Sequence, residues 1–257
     1  DNNYLNIKKT TSRNKIKKIF LVNSHLSISE ISSKADVSRA VIRDLIEKNC
    51  LIPIMRKDQH DIDHKDQVKI TLNENQNIAK KEIISSIDKK NYNCFLIDGV
   101  TGSGKTEVYF AAVEKSLKLG RQSLILLPEI SLTEDLFKRI EKRFGIKPVM
   151  WHSGLSKGTR KEIWQNVFLG KSKLIIGARS SLFLPFKNLG VIIVDEEHDI
   201  TYKQQEGIIY HARDMAISLG FYEEATVILV SATPSLESIN NVNEGKYKRL
   251  NLPKRVG

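Results

Sequence analysis

The sequence predicts an α/β protein in which a doubly wound, mostly parallel sheet follows a small helical domain. Three observations predict it. From residue 67 onward, short apolar runs rich in β-branched residues alternate with amphipathic stretches, as expected for parallel strands joined by helices. One of these runs leads into a glycine-rich loop and then a helix. Residues 15–54 instead carry a helical pattern with short turns.

The first block has the spacing of a helix-turn-helix. An amphipathic stretch is followed by a short helix over 31–35, a turn at 36–38 and a third helix through residue 49. Ser38 fits the N-cap of that third helix. Residues 50–54 fit the short strand of a wing, so we predict a winged-helix-like domain over residues 1–56. The apolar positions of the first and third helices are Ile16, Ile19, Phe20, Val22, Val41, Ile42, Leu45 and Ile46.

Two interpretations of this block stay open. In one, the third helix enters duplex DNA and uses Arg39 and Arg43. In the other, the block is a spacer, because Asp44 and Glu47 lie on the same helix and would repel phosphate.

Residues 57–66 are almost entirely charged or polar, which is typical of a solvated linker. The second domain then covers residues 67–257. Its predicted strands are residues 94–98, 123–127, 148–151, 173–176, 191–195 and 226–230. Ligands of such sheets bind at the carboxyl ends of the strands, where the motifs described next fall.

Composition narrows the class of protein. The formal net charge of +11 over 257 residues favours a polyanionic partner such as nucleic acid. The longest apolar runs are strand-sized, whereas a membrane span needs about 20 residues. The first residue is Asp1 and no leader pattern follows, so we expect a missing N-terminal region, no secretion and no membrane. Cys50 and Cys94 lack zinc-site spacing and are expected to be buried in a reducing cytosol.

Residues 99–106 read G-V-T-G-S-G-K-T, a complete GxxxxGK[ST] phosphate-binding loop between a strand and a helix. The glycines let backbone N–H groups close around phosphate oxygens, and the helix N-terminus adds its positive dipole end. Lys105 is expected to reach the β- and γ-phosphates of ATP, and Thr106 to bind Mg²⁺. The predicted ATP-binding residues are Gln76, Gly99, Thr101, Gly102, Ser103, Gly104, Lys105, Thr106 and Glu107.

Residues 194–198 read V-D-E-E-H directly after an apolar strand. Asp195 is predicted to be the second Mg²⁺ contact, and Glu196 to orient or deprotonate the hydrolytic water. His198 is expected to couple the nucleotide state to neighbouring motifs. The predicted catalytic residues are therefore Lys105, Asp195, Glu196 and His198.

Three further polar residues complete the predicted ATP site. Residues 231–233 read S-A-T after the last predicted strand, and the hydroxyls of Ser231 and Thr233 are expected to bridge the magnesium site to a nucleic-acid groove. Gln76 precedes the phosphate loop by about one helix and one strand, and its amide is predicted to pair with the adenine edge.

With these motifs in this order, the chain resembles the first motor lobe of superfamily 2 helicases, which is RecA-like, and more narrowly the PriA family of replication-restart helicases. The resemblance covers nearly the whole chain. It rests on residues 98–109, 126–133, 151–156, 177–186, 194–199, 202–207, 210–214 and 231–238. It implies ATP-driven 3′→5′ DNA unwinding at branched, fork-like structures, and it implies that residues 1–66 correspond to the family's winged-helix domain.

The resemblance also implies which residues touch DNA or couple it to the ATP site. Residues 128–133 and 179–181 match backbone-contacting motifs, and residues 202–213 match an aromatic-rich loop. In that loop Tyr202 and Tyr210 suit base stacking, and Lys203 and Arg213 suit phosphate. The loop departs from the family in having Ile209 where an arginine is common. The implied residues are Pro128, Ser131, Thr133, Arg179, Ser180, Ser181, Tyr202, Lys203, Gln204, Gln205, Tyr210, Arg213, Ser231 and Thr233.

Further parts of the family are expected outside this chain: a 3′-end DNA-binding domain, a second motor lobe with a cysteine-rich zinc insertion, and a C-terminal domain. The second lobe supplies arginines to the ATP site, so we expect the chain by itself to bind nucleotide but scarcely hydrolyse it. The implied partners are forked and single-stranded DNA, other primosome proteins and single-stranded-DNA-binding protein. The implied location is the bacterial cytoplasm, at the nucleoid. Zinc is expected only in the second lobe.

Two other functions remain as alternatives. A DNA-binding regulator whose ATPase only switches its state explains the helix-turn-helix and the phosphate loop. It gives no reason for the S-A-T motif or the aromatic-rich loop. A related motor, such as a restriction-enzyme translocase, is the other alternative.

Overall fold

The computed structural model describes residues 11–20, 26, 28–48, 50–51, 71–128 and 134–256. The chain divides into two compact units, residues 1–59 and 60–257. Within the described ranges, no helix combines the length and apolar character needed to cross a membrane. The linker predicted at 57–66 lies outside the described residues.

The first unit contains three short helices, α1 (Thr11–Phe20), α2 (Ile28–Ala35) and α3 (Arg39–Glu47). Their apolar faces meet in one core because the apolar residues recur at helical spacing. Ser38 occupies the N-cap position of α3 in an extended conformation, but its side chain makes no capping hydrogen bond. The buried core residues are Ile16, Ile31, Ala35, Val37, Ile42 and Leu45.

The predicted wing has no counterpart in the part of this unit that is described. Cys50 and Leu51 form a bend rather than a strand, and residues 52–54 are outside the described ranges. The three helices agree with a helix-turn-helix, whereas the winged-helix assignment stays a prediction.

Asp44 is neutralised inside this unit. It accepts hydrogen bonds from Lys48, one turn further along α3, and from Arg13 of α1, whose Nη2 lies 2.6 Å away. Hydrogen bonding by Lys48 lowers the pKa of Asp44, and Arg13 adds to the effect. The repulsion of phosphate expected from Asp44 is therefore compensated, while Arg39 and Arg43 are exposed.

The second unit is a seven-stranded, entirely parallel sheet flanked by helices, which confirms the predicted α/β class. The strand order is β3-β4-β2-β5-β8-β1-β9. The strands are β1 (Asn93–Gly99), β2 (Gln122–Leu126), β3 (Val149–Trp151), β4 (Leu174–Gly177), β5 (Leu189–Asp195), β8 (Thr226–Ser231) and β9 (Lys248–Leu252). A separate antiparallel hairpin pairs β6 (Lys203–Gln204) with β7 (Tyr210–His211).

Helices cover both faces of the sheet, so the sheet is doubly wound. Its central strands are buried on both sides, which explains their continuous apolar runs. One core cluster includes residues of α4, α5 and α6, and a second includes residues of α7 and α8. The helices are α4 (Glu74–Lys89), α5 (Lys105–Lys118), α6 (Glu134–Phe144), α7 (Lys157–Phe168), α8 (Ala212–Tyr222) and α9 (Leu236–Asn243).

Strands β6, β7 and β9 were not predicted. The hairpin strands have two residues each, which is too short for a periodic pattern. Strand β9 lies at the sheet edge, and only Leu250 and Leu252 of its five residues are buried. Because it pairs in parallel with β1, the residues that follow it arrive beside the phosphate loop.

Candidate nucleotide site and its neighbouring network

The phosphate loop lies between β1 and α5, as predicted. Gly102 and Gly104 have φ values of +79° and +77°, a region that L side chains rarely adopt. A Cβ atom on Gly99 would lie 2.6 Å from Ser103 Oγ and 2.8 Å from Leu252 Cβ. The loop thus requires glycine at these positions for conformation or for close approach.

Lys105 lies across this loop at the start of α5. Its Nζ donates a hydrogen bond to the carbonyl oxygen of Gly99, 2.7 Å away. An ammonium group held by a carbonyl over a phosphate loop can exchange that partner for a phosphate oxygen. The position therefore fits the predicted role of Lys105.

Asp195 ends β5 at the same edge of the sheet. Its carboxylate accepts hydrogen bonds from the Tyr109 hydroxyl, at 3.0 Å, and from the Glu196 backbone N–H, at 3.1 Å. Burial raises the pKa of Asp195 to about 6, against the lowering effect of the Tyr109 hydrogen bond. A carboxylate whose charge is this poorly solvated gains from a nearby cation.

The two predicted magnesium ligands share a neighbour. The Tyr109 hydroxyl interacts with the side chains of both Thr106 and Asp195. Burial raises the pKa of Tyr109 well above its ordinary value, so the hydroxyl stays protonated and able to donate. Thr106 and Asp195 therefore fit the oxygen donors that Mg²⁺ prefers. Within the described ranges, no group of three or more His, Cys, Asp and Glu side chains is arranged to hold a metal ion.

Glu196, His198 and Ser231 come together beside Asp195. Glu196 has a φ of +48°, which turns the chain sharply after β5. His198 Nδ1 lies 2.8 Å from Ser231 Oγ and 3.6 Å from Glu196 Oε2. Ser231 Oγ also accepts the N–H of Thr233, at 2.9 Å. The D-E-E-H and S-A-T segments are thus joined directly through His198 and Ser231.

Glu197 is a buried hub that the sequence analysis did not single out. It is 0% exposed and accepts four hydrogen bonds. The donors are Arg213 Nη1 at 3.1 Å, the Ser235 N–H at 2.7 Å, Ser235 Oγ at 3.0 Å and Ser238 Oγ at 2.9 Å. Two features of the sequence could have pointed to this network. Glu197 is the third of three consecutive acidic residues that begin with Asp195, and two serines follow at positions 235 and 238.

Arg213, which was predicted to suit DNA phosphate, lies in this buried network. It is 6% exposed, and its guanidinium also bonds Asp214 at 3.0 Å and Ser235 Oγ at 2.6 Å. Although burial lowers the pKa of Arg213, the carboxylates of Asp214 and Glu197 raise it above its ordinary value. A buried guanidinium needs such partners because desolvation of its charge is costly.

Tyr202, which was predicted to suit base stacking, is buried as well. It is 1% exposed, and its hydroxyl bonds the carbonyl oxygens of Leu126, at 3.1 Å, and Asp195, at 2.6 Å. A short helical turn over residues 200–202 folds the ring back onto the ends of β2 and β5. Tyr202 thus pins two strand ends together beside the magnesium-binding position.

Ser181, a third predicted DNA contact, is also buried. It is 0% exposed and donates to the Ala178 carbonyl at 2.6 Å. Its neighbours remain accessible. Arg179 Nη1 bonds the Lys203 carbonyl at 2.9 Å, and Ser180 Oγ accepts the indole N–H of Trp151 at 3.1 Å.

The remaining predicted DNA contacts differ in their exposure to solvent. Lys203, Gln205 and Thr233 are exposed, and Gln204 and Tyr210 are half-buried, with Tyr210 packed edge-on against Phe183 at 5.3 Å between ring centroids. Pro128 is buried. Ser131 and Thr133 lie outside the described residues.

The side-chain amide of Gln76 makes two hydrogen bonds inside the protein. Its Oε1 accepts the Asn73 N–H at 2.8 Å in a capping box at the start of α4, and its Nε2 donates to the Ser103 carbonyl at 2.8 Å. The side chain is 2% exposed. Gln76 thus links α4 to the phosphate loop, and its contact with adenine stays a prediction.

A phosphate loop after β1, an aspartate after β5 and a parallel sheet between them define the nucleotide-binding lobe of a P-loop motor. The model of the DEAD/DEAH box helicase family matches residues 73–242. The chain belongs to this family.

The resemblance to PriA is also confirmed. The chain is 40% identical to replication restart protein PriA of Bacillus subtilis over 232 residues, covering 89% of this chain and 29% of that protein. It is 48% identical to PriA of Haemophilus influenzae over 189 residues, covering 74% and 26%. PriA of Chlamydia muridarum is 38% identical over 247 residues, covering 94% and 33%. The chain thus spans about a quarter to a third of these relatives' length.

Among solved structures, RecG bound to a three-way DNA junction superposes with a TM-score of 0.55 at 18% identity. The match covers 96% of this chain and 31% of that one. At this identity the comparison shows a shared fold and no more.

Proposed function

We propose that this chain is the first motor lobe, with an accompanying helix-turn-helix unit, of an ATP-dependent DNA helicase of replication restart. The similarity to PriA proteins supports the biological role. The helicase family and the phosphate loop support the use of ATP and Mg²⁺. Motion in the 3′→5′ direction and action at branched forks rest on the resemblance to the same relatives.

One observation carries the proposal. Lys105, Asp195 and the linked pair His198–Ser231 all lie at the carboxyl edge of one parallel sheet, next to the hairpin that bears the exposed polar residues. A nucleotide-binding group and a DNA-facing group connected by hydrogen bonds are what a motor needs to couple the two.

Each side chain at this edge has a proposed task. Lys105 exchanges the Gly99 carbonyl for β- and γ-phosphate oxygens, and Thr106 and Asp195 hold the metal ion. Magnesium, when bound, neutralises phosphate charge. Glu196, half-exposed, orients the attacking water and accepts its proton. His198 reports the state of this site to Ser231.

The proposed DNA face lies on the hairpin and the neighbouring loops. Lys203 and Arg179 supply positive charge, Gln204, Gln205, Ser180 and Thr233 supply hydrogen-bonding groups, and Tyr210 supplies a ring for a base. Arg213 and Tyr202 act behind this face by fixing α8 and the strand ends.

The proposed setting follows the relatives. The partners are forked and single-stranded DNA, primosome proteins and single-stranded-DNA-binding protein, in the bacterial cytoplasm at the nucleoid. A second motor lobe, with zinc bound in it, completes the ATP site. The 257-residue chain by itself is therefore expected to bind nucleotide with hydrolysis near background.

The test is the rate of ATP hydrolysis by the complete protein with and without single-stranded DNA. We expect stimulation by DNA in the unaltered protein, and loss of at least about 100-fold of the stimulated rate in Lys105→Ala. An unchanged rate in this variant would refute the site. Binding to one duplex sequence with no preference for forks would favour the DNA-binding regulator instead.

A further inference from the structure

The residues that follow β9 lie on the phosphate loop. Strand β9 pairs in parallel with β1, with Leu252 opposite Gly99, so both strands end at the same edge of the sheet. The chain beyond Leu252 then runs across the loop. The backbone N–H of Val256 donates to the carbonyl oxygen of Gly102 at 2.9 Å.

Side chains of this segment approach each loop glycine. A Cβ atom on Gly99 would lie 2.8 Å from Leu252 Cβ, and one on Gly104 would lie 3.3 Å from Val256 Cγ2. A Cβ atom on Gly102 would lie 3.9 Å from Arg255 Cγ. The aliphatic stem of Arg255 therefore passes directly beside the loop.

Arg255 differs from the other arginines around this loop. Arg249 is bound to Asp98, and Arg139 to Glu107 at 2.6 Å. Those two guanidinium groups are neutralised by carboxylates on either side of the loop. Arg255 is exposed and forms no ion pair with any described residue, so its charge remains available at a site shaped for a polyanion.

We propose that the residues after β9 form one wall of the nucleotide site and that Arg255 is a further residue binding the nucleotide's phosphates. The inference rests on the proposed ATP-binding function of the loop. A guanidinium suits this task because its planar fork binds phosphate through two parallel hydrogen bonds. Lys105 then binds the phosphates from the α5 side, and Arg255 from the β9 side.

The neighbouring Lys254 provides a matched control. It has the same charge, is exposed and lies one residue away, but no contact places its side chain beside a loop glycine. A general electrostatic effect of the segment would make both residues matter equally. A specific phosphate contact would make Arg255 alone matter.

The experiment measures dissociation constants for Mg-ADP and for a non-hydrolysable ATP analogue, by calorimetry, on the 257-residue chain. We expect Arg255→Ala to weaken binding of the analogue about 5- to 20-fold, and Lys254→Ala less than about twofold. Arg255→Lys should lie between, because it keeps the charge but loses the fork. Thermal unfolding should be nearly unchanged in all three variants.

Equal effects of Arg255→Ala and Lys254→Ala would overturn the inference. Tighter binding by Arg255→Ala would also overturn it, because the segment would then obstruct the site. If the unaltered chain binds nucleotide and Lys105→Ala does not, either result refutes only the role of Arg255. If the unaltered chain binds no nucleotide, the proposed function fails with it.

Discussion

Asp195 lowers the stability of the nucleotide-free chain at neutral pH and is also a proposed ligand of Mg²⁺. Burial raises its pKa to about 6, above the ordinary value of an aspartate. The folded chain therefore holds a proton there that the unfolded chain has lost between about pH 4 and 6, and the nucleotide-free fold loses stability as the pH rises through this window. At neutral pH the site carries a charge that only a bound cation compensates well.

Asp195→Asn should therefore stabilise the nucleotide-free chain. At pH 7.5 we expect a gain of about 2 kcal/mol, discounted for partial exposure, and a rise in Tm of several degrees. The variant should also lose the further stabilisation that Mg-nucleotide gives. Thermal unfolding with and without Mg-ADP checks both. A lower Tm for the nucleotide-free variant would show that the carboxylate is not strained by burial.

Two tyrosines of the same segment should behave in opposite ways. Tyr202→Phe leaves the carbonyl oxygens of Leu126 and Asp195 without their donor, so we expect a loss of about 1–3 kcal/mol in stability and little change in DNA affinity.

Tyr210→Ala should weaken single-stranded DNA binding about 5-fold or more, because a stacking ring is lost. Urea unfolding and fluorescence anisotropy separate the two effects. The reverse assignment, with Tyr202 needed for DNA and not for stability, would restore the original prediction.

At the scale of elements, Glu197 connects three segments that lie far apart in the sequence. It follows β5, receives Arg213 from the start of α8, and receives Ser235 and Ser238 from the N-terminus of α9. A carboxylate without solvent is stable here because four donors satisfy it. A displacement of the hairpin before α8 would thus shift Arg213 and Glu197, and with them the end of β5, where Asp195 lies.

Arg213→Ala should destabilise the chain severely because it removes the partner of a buried charge. We expect a loss of about 3–5 kcal/mol, measured by urea unfolding. The double variant Glu197→Gln with Arg213→Ala should be less destabilised than the sum of the single variants, because both charges are then absent. Additive losses, or an effect of Arg213→Ala on DNA affinity with stability intact, would argue against the buried network.

The elements also show what the sequence can predict. The five interior strands were found because burial on both faces gives each a nearly uninterrupted apolar run, as in Leu189–Asp195. The sixth predicted strand, β3, lies at one edge of the sheet and is only half-buried. The phosphate loop and the motif around Asp195 were found because each is a short run of consecutive residues at the end of a predicted strand. The edge strand Lys248–Leu252 was missed, since three of its five residues are exposed and polar and only Leu250 and Leu252 are buried.

The buried roles of Tyr202, Arg213 and Ser181 depend on distant partners. The sequence alone does not distinguish a polar or aromatic residue that faces solvent from one that packs on the sheet, when both lie next to a DNA-binding motif. Only the packing of the turn at 200–202 and of α8 against β5 and β8 decides between these cases. Gln76 belongs to the same class, since its amide serves the helix α4 and the loop.

At the scale of the whole molecule, the second unit holds the nucleotide site and the proposed DNA face on one sheet edge. Ser231 is hydrogen-bonded both to His198, beside the nucleotide site, and to Thr233, on the proposed DNA face. Behind them, Arg213 at the start of α8 is bonded to Glu197, which follows β5. The net charge of +11 favours a polyanion generally. We propose that coupling between nucleotide and DNA instead depends on these few polar contacts.

The most direct test of this coupling is the ratio of DNA-stimulated to unstimulated ATP hydrolysis in the complete protein carrying Ser231→Ala. The matched control is Ser123→Ala, which alters another fully buried serine of the same sheet. The hydroxyl of Ser123 has no hydrogen-bond partner among the described residues. We predict that Ser231→Ala lowers the ratio about tenfold because the contact from His198 to Thr233 is lost, and that Ser123→Ala leaves it unchanged. An equal ratio in both variants and the unaltered protein would contradict the account.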